Sequence, residues 1–281
     1  LALGSLLIGW LAKRIKITFY LFGITQIFIS LFVVWGISHF DQMPFYFLQL
    51  FARFGKYGAA FHIAKFILAS IVILPPTIFI GCTFAIVTQL LNRSSHKTGE
   101  TVGYAYFVNT LGCIAGSIVS GFLLVPWIGI YKTLIAMALL SFFVGIIILF
   151  VSQKKFSLLQ VGTALSMIIV VSISFLCARP WSLGFLTTNI SIDPKPYMRN
   201  NKFEILSGVQ QPALLYYKEG LSGTVSVKRY LDSTSLSINA NVDASTGEDM
   251  CTQLLLGHLP SLFSNHRQRA LLIGMGSGIT L

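Results

Sequence analysis

The sequence predicts an α-helical transmembrane bundle followed by the start of an α/β domain. Long apolar stretches fill residues 1–178, the composition changes at Arg179, and an apolar run near the end closes on Gly274, Gly276 and Gly278. Of the 281 residues, 54% are hydrophobic and 10% charged, against about 25% charged in soluble domains. That deficit points to lipid as the solvent of the first part. Residues 1–178 form the membrane region, 179–212 a linker and 213–281 the beginning of the second domain.

Charge is distributed unevenly. Before Arg179 the only acidic residues are Asp41 and Glu100, against eleven basic ones. After that point seven acidic residues face nine basic ones. The basic residues of the first part lie between apolar spans, the loop bias of a membrane protein rather than a nucleic-acid-binding stripe. No nucleic-acid partner is therefore expected. Cys82, Cys113, Cys177 and Cys251 are widely spaced, with neither metal-ligand nor redox spacing, and read as small buried hydrophobes. No metal site is expected.

A helix needs about 20 apolar residues to cross a bilayer. Leu1–Ala12 is too short, and reads as the tail of a helix closed by Lys13, Arg14 and Lys16. Five stretches qualify: Ile17–Ser38, Ala64–Leu91, Thr101–Val125, Ile130–Val151 and Phe156–Ala178. Each must be helical, because hydrocarbon offers no partner to backbone N–H and C=O groups. Pro75-Pro76 removes two donors and predicts a kink or break in the second span. In the third, Gly112, Gly116 and Ser120 form a small-residue face for close helix packing, and Asn109 is expected to face the bundle interior. Met43–Phe54 reads as a re-entrant or interfacial helix. The basic loops Lys13/Arg14/Lys16, Arg93/Lys97 and Lys154/Lys155 mark the cytoplasmic side. One extra crossing near 39–63 would reverse the assignment, so the side holding the second domain stays open.

Beyond Arg179, Pro180, Pro194, Pro196, Gly208 and Pro212 mark irregular chain. Leu214–Lys218 and Thr224–Arg229 read as strands, Leu236–Asn239 as a shorter one, and Asp243–Gly247 as a turn. Glu248–His258 has helical spacing, with Met250, Leu254 and Gly257 on one side, and Pro260 ends it. Glu248 and Asp249 suit a helix start, and His258 a helix end. Arg269–Ile273 reads as a buried strand. It leads into Gly274, Gly276 and Gly278, whose freedom at positive φ lets backbone approach a nucleotide. The fold expected after residue 212 is a small β-rich subdomain, then the first strand and turn of a nucleotide-binding sheet.

Several stretches, in this order, carry a resemblance: Leu214-Leu-Tyr-Tyr-Lys-Glu-Gly220, Gly223-Thr-Val-Ser-Val227, Leu236-Ser-Ile-Asn239, Asp249-Met-Cys-Thr-Gln253, Gly257-His-Leu-Pro260 and Leu271-Leu-Ile-Gly-Met-Gly-Ser-Gly278. Together they resemble the N-terminal half of a spermidine synthase-like (polyamine aminopropyltransferase) domain. Leu1–Gly9, Leu74–Thr77 with Gly81–Phe84, and Gly103–Gly112 resemble the helical part of bacterial proteins that join a major-facilitator-like region to such a domain.

The resemblance implies a Rossmann-like sheet and a multi-pass protein of the cell (inner) membrane. Its co-substrate would be decarboxylated S-adenosylmethionine, with no tightly bound cofactor, and its acceptor a polyamine. The aminopropyl group would move by displacement at the carbon beside the sulfonium, which requires an in-line, deprotonated amine. By position, Thr252 and Gln253 would face the polyamine, where the family usually has Tyr followed by Gln or His. Ser277 stands where the family commonly has an amine-binding Asp. Gly274, Gly276 and Gly278 would approach the nucleoside. The ribose-binding acid and the catalytic base fall beyond Leu281, so the chain reads as a piece of a longer protein. Because Thr252 and Ser277 lack a phenol and a carboxylate, a non-catalytic transporter or sensor that binds a nucleotide or polyamine is the alternative.

Overall fold

The computed structural model describes residues 1–55, 58–92, 98–152, 158–177, 179–192, 194, 212–247, 249–264, 269 and 271–280. Lys56, Arg93, Lys97, Lys154, Lys155, Ala178, Pro196, Gly208, Glu248 and Ala270, which entered the expectations above, lie outside them. Two compact units are present: Leu1–Met43 with Phe54–Trp181, and Pro44–Arg53 with Ser182–Leu281.

The first unit is helical: α1 Ala2–Leu11, α2 Phe19–Phe40, then, beyond α3 (Met43–Phe54), α4 Gly58–Asn92, α5 Thr98–Ile118, α6 Val125–Val151 and α7 Leu158–Cys177. Phe19–Phe40, Gly58–Asn92 and the run Thr98–Val151 are long and apolar enough to cross a bilayer. The protein is a membrane protein by this measure. Its longest helical run covers 54 residues. Straight, it would reach roughly 80 Å, far beyond the ~30 Å hydrocarbon core. Gly129 divides it, with φ 84° and ψ 166° inside otherwise helical chain, and a π-helical turn at Val119–Leu124 precedes the break. The expected boundary between Val125 and Ile130 falls here. In the first turn after the break the Thr133 hydroxyl donates to the Gly129 carbonyl at 2.7 Å.

Two glycine pairs bring helices together. A methyl on Gly4 would lie 2.0 Å from the Ile78 carbonyl oxygen, and one on Gly81 2.1 Å from that of Leu1, so α1 and α4 touch backbone to backbone. Ser5 donates to the Gly81 carbonyl at 3.2 Å, and Cys82 Sγ lies 3.4 Å from the Gly4 carbonyl. Around this crossing Ile8, Ile17, Cys82 and Ile86 form a buried cluster. Gly23 and Gly145 join α2 to α6 in the same way: a methyl on either would come within 3.0 Å of the other's carbonyl oxygen. Ile27, Phe142, Leu149 and Val171 bury beside them. Small residues set the approach distance because lipid gives apolar side chains no reason to prefer each other over tails.

Several expectations need correction. Pro75-Pro76 does not break the second span, since α4 runs through both. The missing N–H of Pro76 frees the Val72 carbonyl, and Gly36 of α2 lies against it, a methyl there standing 4.0 Å from that oxygen. Thr77 adds local bonds, its hydroxyl meeting the Ile73 and Leu74 carbonyls at 2.9 Å each. Gly112 and Gly116 are not packing positions among the described residues, because nothing lies within 4 Å of a methyl on either. Asn109 is likewise exposed, its amide only 4.0 Å from the Cys113 sulfur one turn on. A small-residue face needs a partner helix, and the helices that meet here do so at other glycines. Of the cysteines, Cys82 is buried as expected, whereas Cys113 and Cys251 are exposed.

Trp181 closes this unit. Its indole donates to the Ile37 carbonyl at 2.8 Å, near the end of α2 where carbonyls lack helical partners. Its ring meets Phe40 at 4.8 Å and Tyr131 at 5.4 Å between centroids.

The second unit holds most of α3, a short α8 (Leu183–Leu186), a 3-10 turn at Asn189–Ser191, four strands and α9 (Asp249–Phe263). The segment Met43–Phe54 is a helix, as the sequence predicts. Leu48, Phe185 and Ile190 form a buried cluster with Phe45 against it. The strands β1 Ala213–Glu219, β2 Thr224–Arg229, β3 Thr234–Ile238 and β4 Asn241–Ser245 form an antiparallel sheet in sequential order.

The turn expected at Asp243–Gly247 lies earlier. Asn239 and Ala240 both take positive φ, 51° and 65°, and Asn241–Ser245 returns as β4. Two successive positive-φ residues match the right-handed twist of a tight hairpin. Asn239 secures the corner, its amide N–H donating to the Thr224 carbonyl at 2.8 Å and its Oδ1 accepting from the Thr224 N–H at 2.9 Å. Pro260 does not end the final helix, which continues to Phe263, closed by Ser264 N–H on the Pro260 carbonyl at 3.0 Å. Finally, Leu271–Ile273 forms no strand, and Leu271 and Ile273 are exposed rather than buried. A strand exists only through a hydrogen-bonded neighbour, and none lies beside this run among the described residues.

Candidate functional site

Of the residues selected from the sequence, Gln253 and Ser277 meet where α9 approaches the glycine turn. A helix presents positions four apart on one face, and α9 turns Gln253 and Gly257 toward residues 277–280. The Ser277 hydroxyl donates to Gln253 Oε1 at 2.7 Å and accepts, at 3.4 Å, from the Ile279 N–H. One turn on, a methyl on Gly257 would stand 2.9 Å from the Thr280 carbonyl oxygen, so only a glycine lets the two segments come this close. The buried face of α9 therefore centres on Gln253, not on Leu254 and Leu255, which are exposed.

Gly274, Gly276 and Gly278 take φ of 92°, 55° and 79°. Such values suit glycine and burden any side chain. The Gly278 N–H closes a tight turn on the Met275 carbonyl at 2.9 Å. Space around the three glycines is open: nothing lies within 4 Å of a methyl on any of them.

Beside Ser277 lies a cavity of about 300 Å³, at the small end of the ligand-pocket range. Val227, Leu236 and Ala244 line it from the sheet, Ser245 and Thr246 from the end of β4, and Ser277 and Ile279 from the turn. Among the described residues its lining contains hydroxyls but no carboxylate. Gln253 Nε2 is buried with no hydrogen-bond partner among the described residues, leaving its amide N–H₂ to meet a ligand acceptor. Thr252, next to Gln253 on α9, is exposed and shares no hydrogen bond with Gln253 or Ser277 among the described residues. At the start of α9 the Ser245 hydroxyl donates to Asp249 Oδ2 at 2.8 Å and accepts from the Gly247 N–H at 3.3 Å, a structural role for both side chains.

Sequence reasoning missed the hydroxyls of Ser245 and Thr246, hidden inside a stretch read as a turn. It also missed a set of polar residues on the sheet. Ser226, Lys228, Ser235 and Ser237 are all buried, and their alternation with Val225, Val227, Leu236 and Ile238 was legible as strand but not as a polar inward face.

Among the described residues the site supplies an amide and hydroxyl hydrogen bonds beside an apolar floor. Compared with family models, curated proteins and solved structures, the chain finds no match.

Proposed function

We propose that the chain is part of a multi-pass protein of the cell (inner) membrane whose C-terminal portion builds toward a Rossmann-like, nucleoside-binding α/β domain. In this reading decarboxylated S-adenosylmethionine is the co-substrate, and its aminopropyl group passes to a polyamine. The amine nitrogen forms a bond to the carbon beside sulfur, the C–S bond breaks, and its electron pair leaves on methylthioadenosine. The ammonium proton goes to a base outside the lining described above. One observation carries the reading: Gln253 and Ser277, 24 residues apart and singled out for amine contact, share a 2.7 Å hydrogen bond at the edge of a cavity beside a positive-φ glycine turn.

The test is to incubate the intact gene product with decarboxylated S-adenosylmethionine and putrescine or spermidine and to follow products by mass spectrometry. Aminopropylated amine and methylthioadenosine in equal amounts are expected. Absence of both with every amine tried overturns the transferase reading.

A second reading is favoured by the described cavity lining, whose polar side chains are hydroxyls and not carboxylates. There the helices transport or anchor, and the C-terminal portion senses a nucleoside or polyamine without reaction. Nucleoside thioether binding without turnover, together with polyamine flux in proteoliposomes, distinguishes it; turnover without flux eliminates it.

A further inference from the structure

We propose that the buried face of the four-stranded sheet binds a small oxyanion of the phosphate type, held by the Lys228 ammonium among the hydroxyls of Ser226, Ser235 and Ser237. Strand register brings the four together. Ser226 pairs with Ser237 and Lys228 with Ser235, two cross-strand pairs side by side on one face. Their exposures are 1% for Ser226, 2% for Lys228, 4% for Ser235 and 2% for Ser237. An antiparallel sheet ordinarily turns its apolar face inward. Here Val225, Val227, Leu236 and Ile238 occupy the opposite, less buried face.

The polar face is not satisfied from within. Among the described residues the hydroxyl oxygens of Ser226 and Ser235 are buried without a hydrogen-bond partner, and buried polar groups rarely remain so. Lys228 forms no hydrogen bond or ion pair among the described residues, and burial alone pushes its ammonium down to about 8. Tyr217, opposite Ser226 on the same face, donates its hydroxyl to Glu219 and is already engaged. Glu219 pairs across from Thr224, toward the other end of β2 from Lys228. Beside Lys228 the paired strands offer hydroxyls and one positive charge, the donor set that recognises an oxyanion; the carboxylate of Asp249, at the far end of this cross-strand row, is engaged by Ser245, which pairs with Ser235, at 2.8 Å. A polyamine would be repelled by Lys228, so this site is independent of the proposed transferase activity.

The test is calorimetric titration of the full chain, in neutral detergent and chloride buffer, with inorganic phosphate. Wild type is expected to show one saturable site. Lys228→Met should weaken it by about tenfold or more, the worth of one charge-assisted hydrogen bond, while melting no lower than wild type without phosphate. Ser226→Ala with Ser235→Ala should weaken it several-fold and provides a second variant that keeps the ammonium. Repeating the titration in nanodiscs separates the sources: phosphate binding blocked only by phosphatidylglycerol assigns the site to a lipid headgroup, and equal binding in phosphatidylcholine and phosphatidylglycerol assigns it to a soluble phosphate. Either supports the proposal. No saturable phosphate binding to wild type in detergent, or binding unchanged in both variants, overturns it.

Discussion

Ala240 holds the left-handed conformation, φ 65°, in a two-residue corner where Asn239 is well suited and alanine is not. For a residue with a Cβ this region costs roughly 1–2 kcal/mol. Ala240→Gly should relieve most of that, offset in part by the added freedom of glycine in the unfolded chain. The net expectation is a gain of about 0.5–1 kcal/mol, read as slower hydrogen exchange at the amides of β3 and β4. Faster exchange would contradict it. Lys228 makes a second residue-scale prediction. In the folded chain it gives up its proton near pH 8, against an ordinary value of 10.5. Below about pH 8 both folded and unfolded chains carry the charge, and the cost of burying it is fully felt. Between there and 10.5 the unfolded chain binds the extra proton, so stability rises with pH. Tyr217 is pushed above the usual tyrosine range by burial first, then by the hydrogen bond and charge of Glu219, and stays protonated over this window. A stability gain on the order of 2–3 kcal/mol is expected across it in phosphate-free buffer. Lys228→Met should flatten the profile; an unchanged slope in that variant would show another group to be responsible.

At the scale of elements, helix contact rests on where glycines find carbonyls. Gly81→Val would drive a branched side chain into the Leu1 carbonyl, already 2.1 Å from a bare methyl. Overpacking of this kind costs about 1–3 kcal/mol or more, and backbone cannot yield as a flexible side chain can. Thermal unfolding in detergent, followed by circular dichroism, should show Gly81→Val far less stable than Gly116→Val, whose site is open. Similar effects at both positions would refute the assignment of the crossing. This contrast also marks the limit of sequence reading. The alternation in Leu214–Lys218 and Thr224–Arg229 placed β1 and β2 almost to the residue, because period two is a local property. The spacing of Gly112 and Gly116 looked like a contact, yet spacing carries no information about which partner arrives. Pro75-Pro76 looked like a break, yet α4 runs through both, with the Thr77 hydroxyl on the Ile73 and Leu74 carbonyls. Gln253 and Ser277, singled out from the ordered motifs, meet in a hydrogen bond, whereas the neighbouring Thr252 is exposed. Lys228 went unnoticed because nothing local distinguishes a buried lysine from a solvated one.

For the whole molecule, the helical runs long and apolar enough to span, three among the described residues, set the solvent. The expressed chain should stay with the membrane pellet after an alkaline carbonate wash and dissolve only in detergent. Release by carbonate alone would reject the spanning assignment. The two units also differ in how the chain composes them. Pro44–Arg53 is grouped with Ser182–Leu281 rather than with the helices on either side of it, and Phe45 and Leu48 lie against Phe185 and Ile190. During synthesis that short helix emerges before any of the later spans and waits, with its apolar side uncovered, until the ribosome reaches residue 190. A gene cut at residue 182 to harvest the C-terminal unit would discard part of that unit's own interior, so a workable excision has to carry the early helix along.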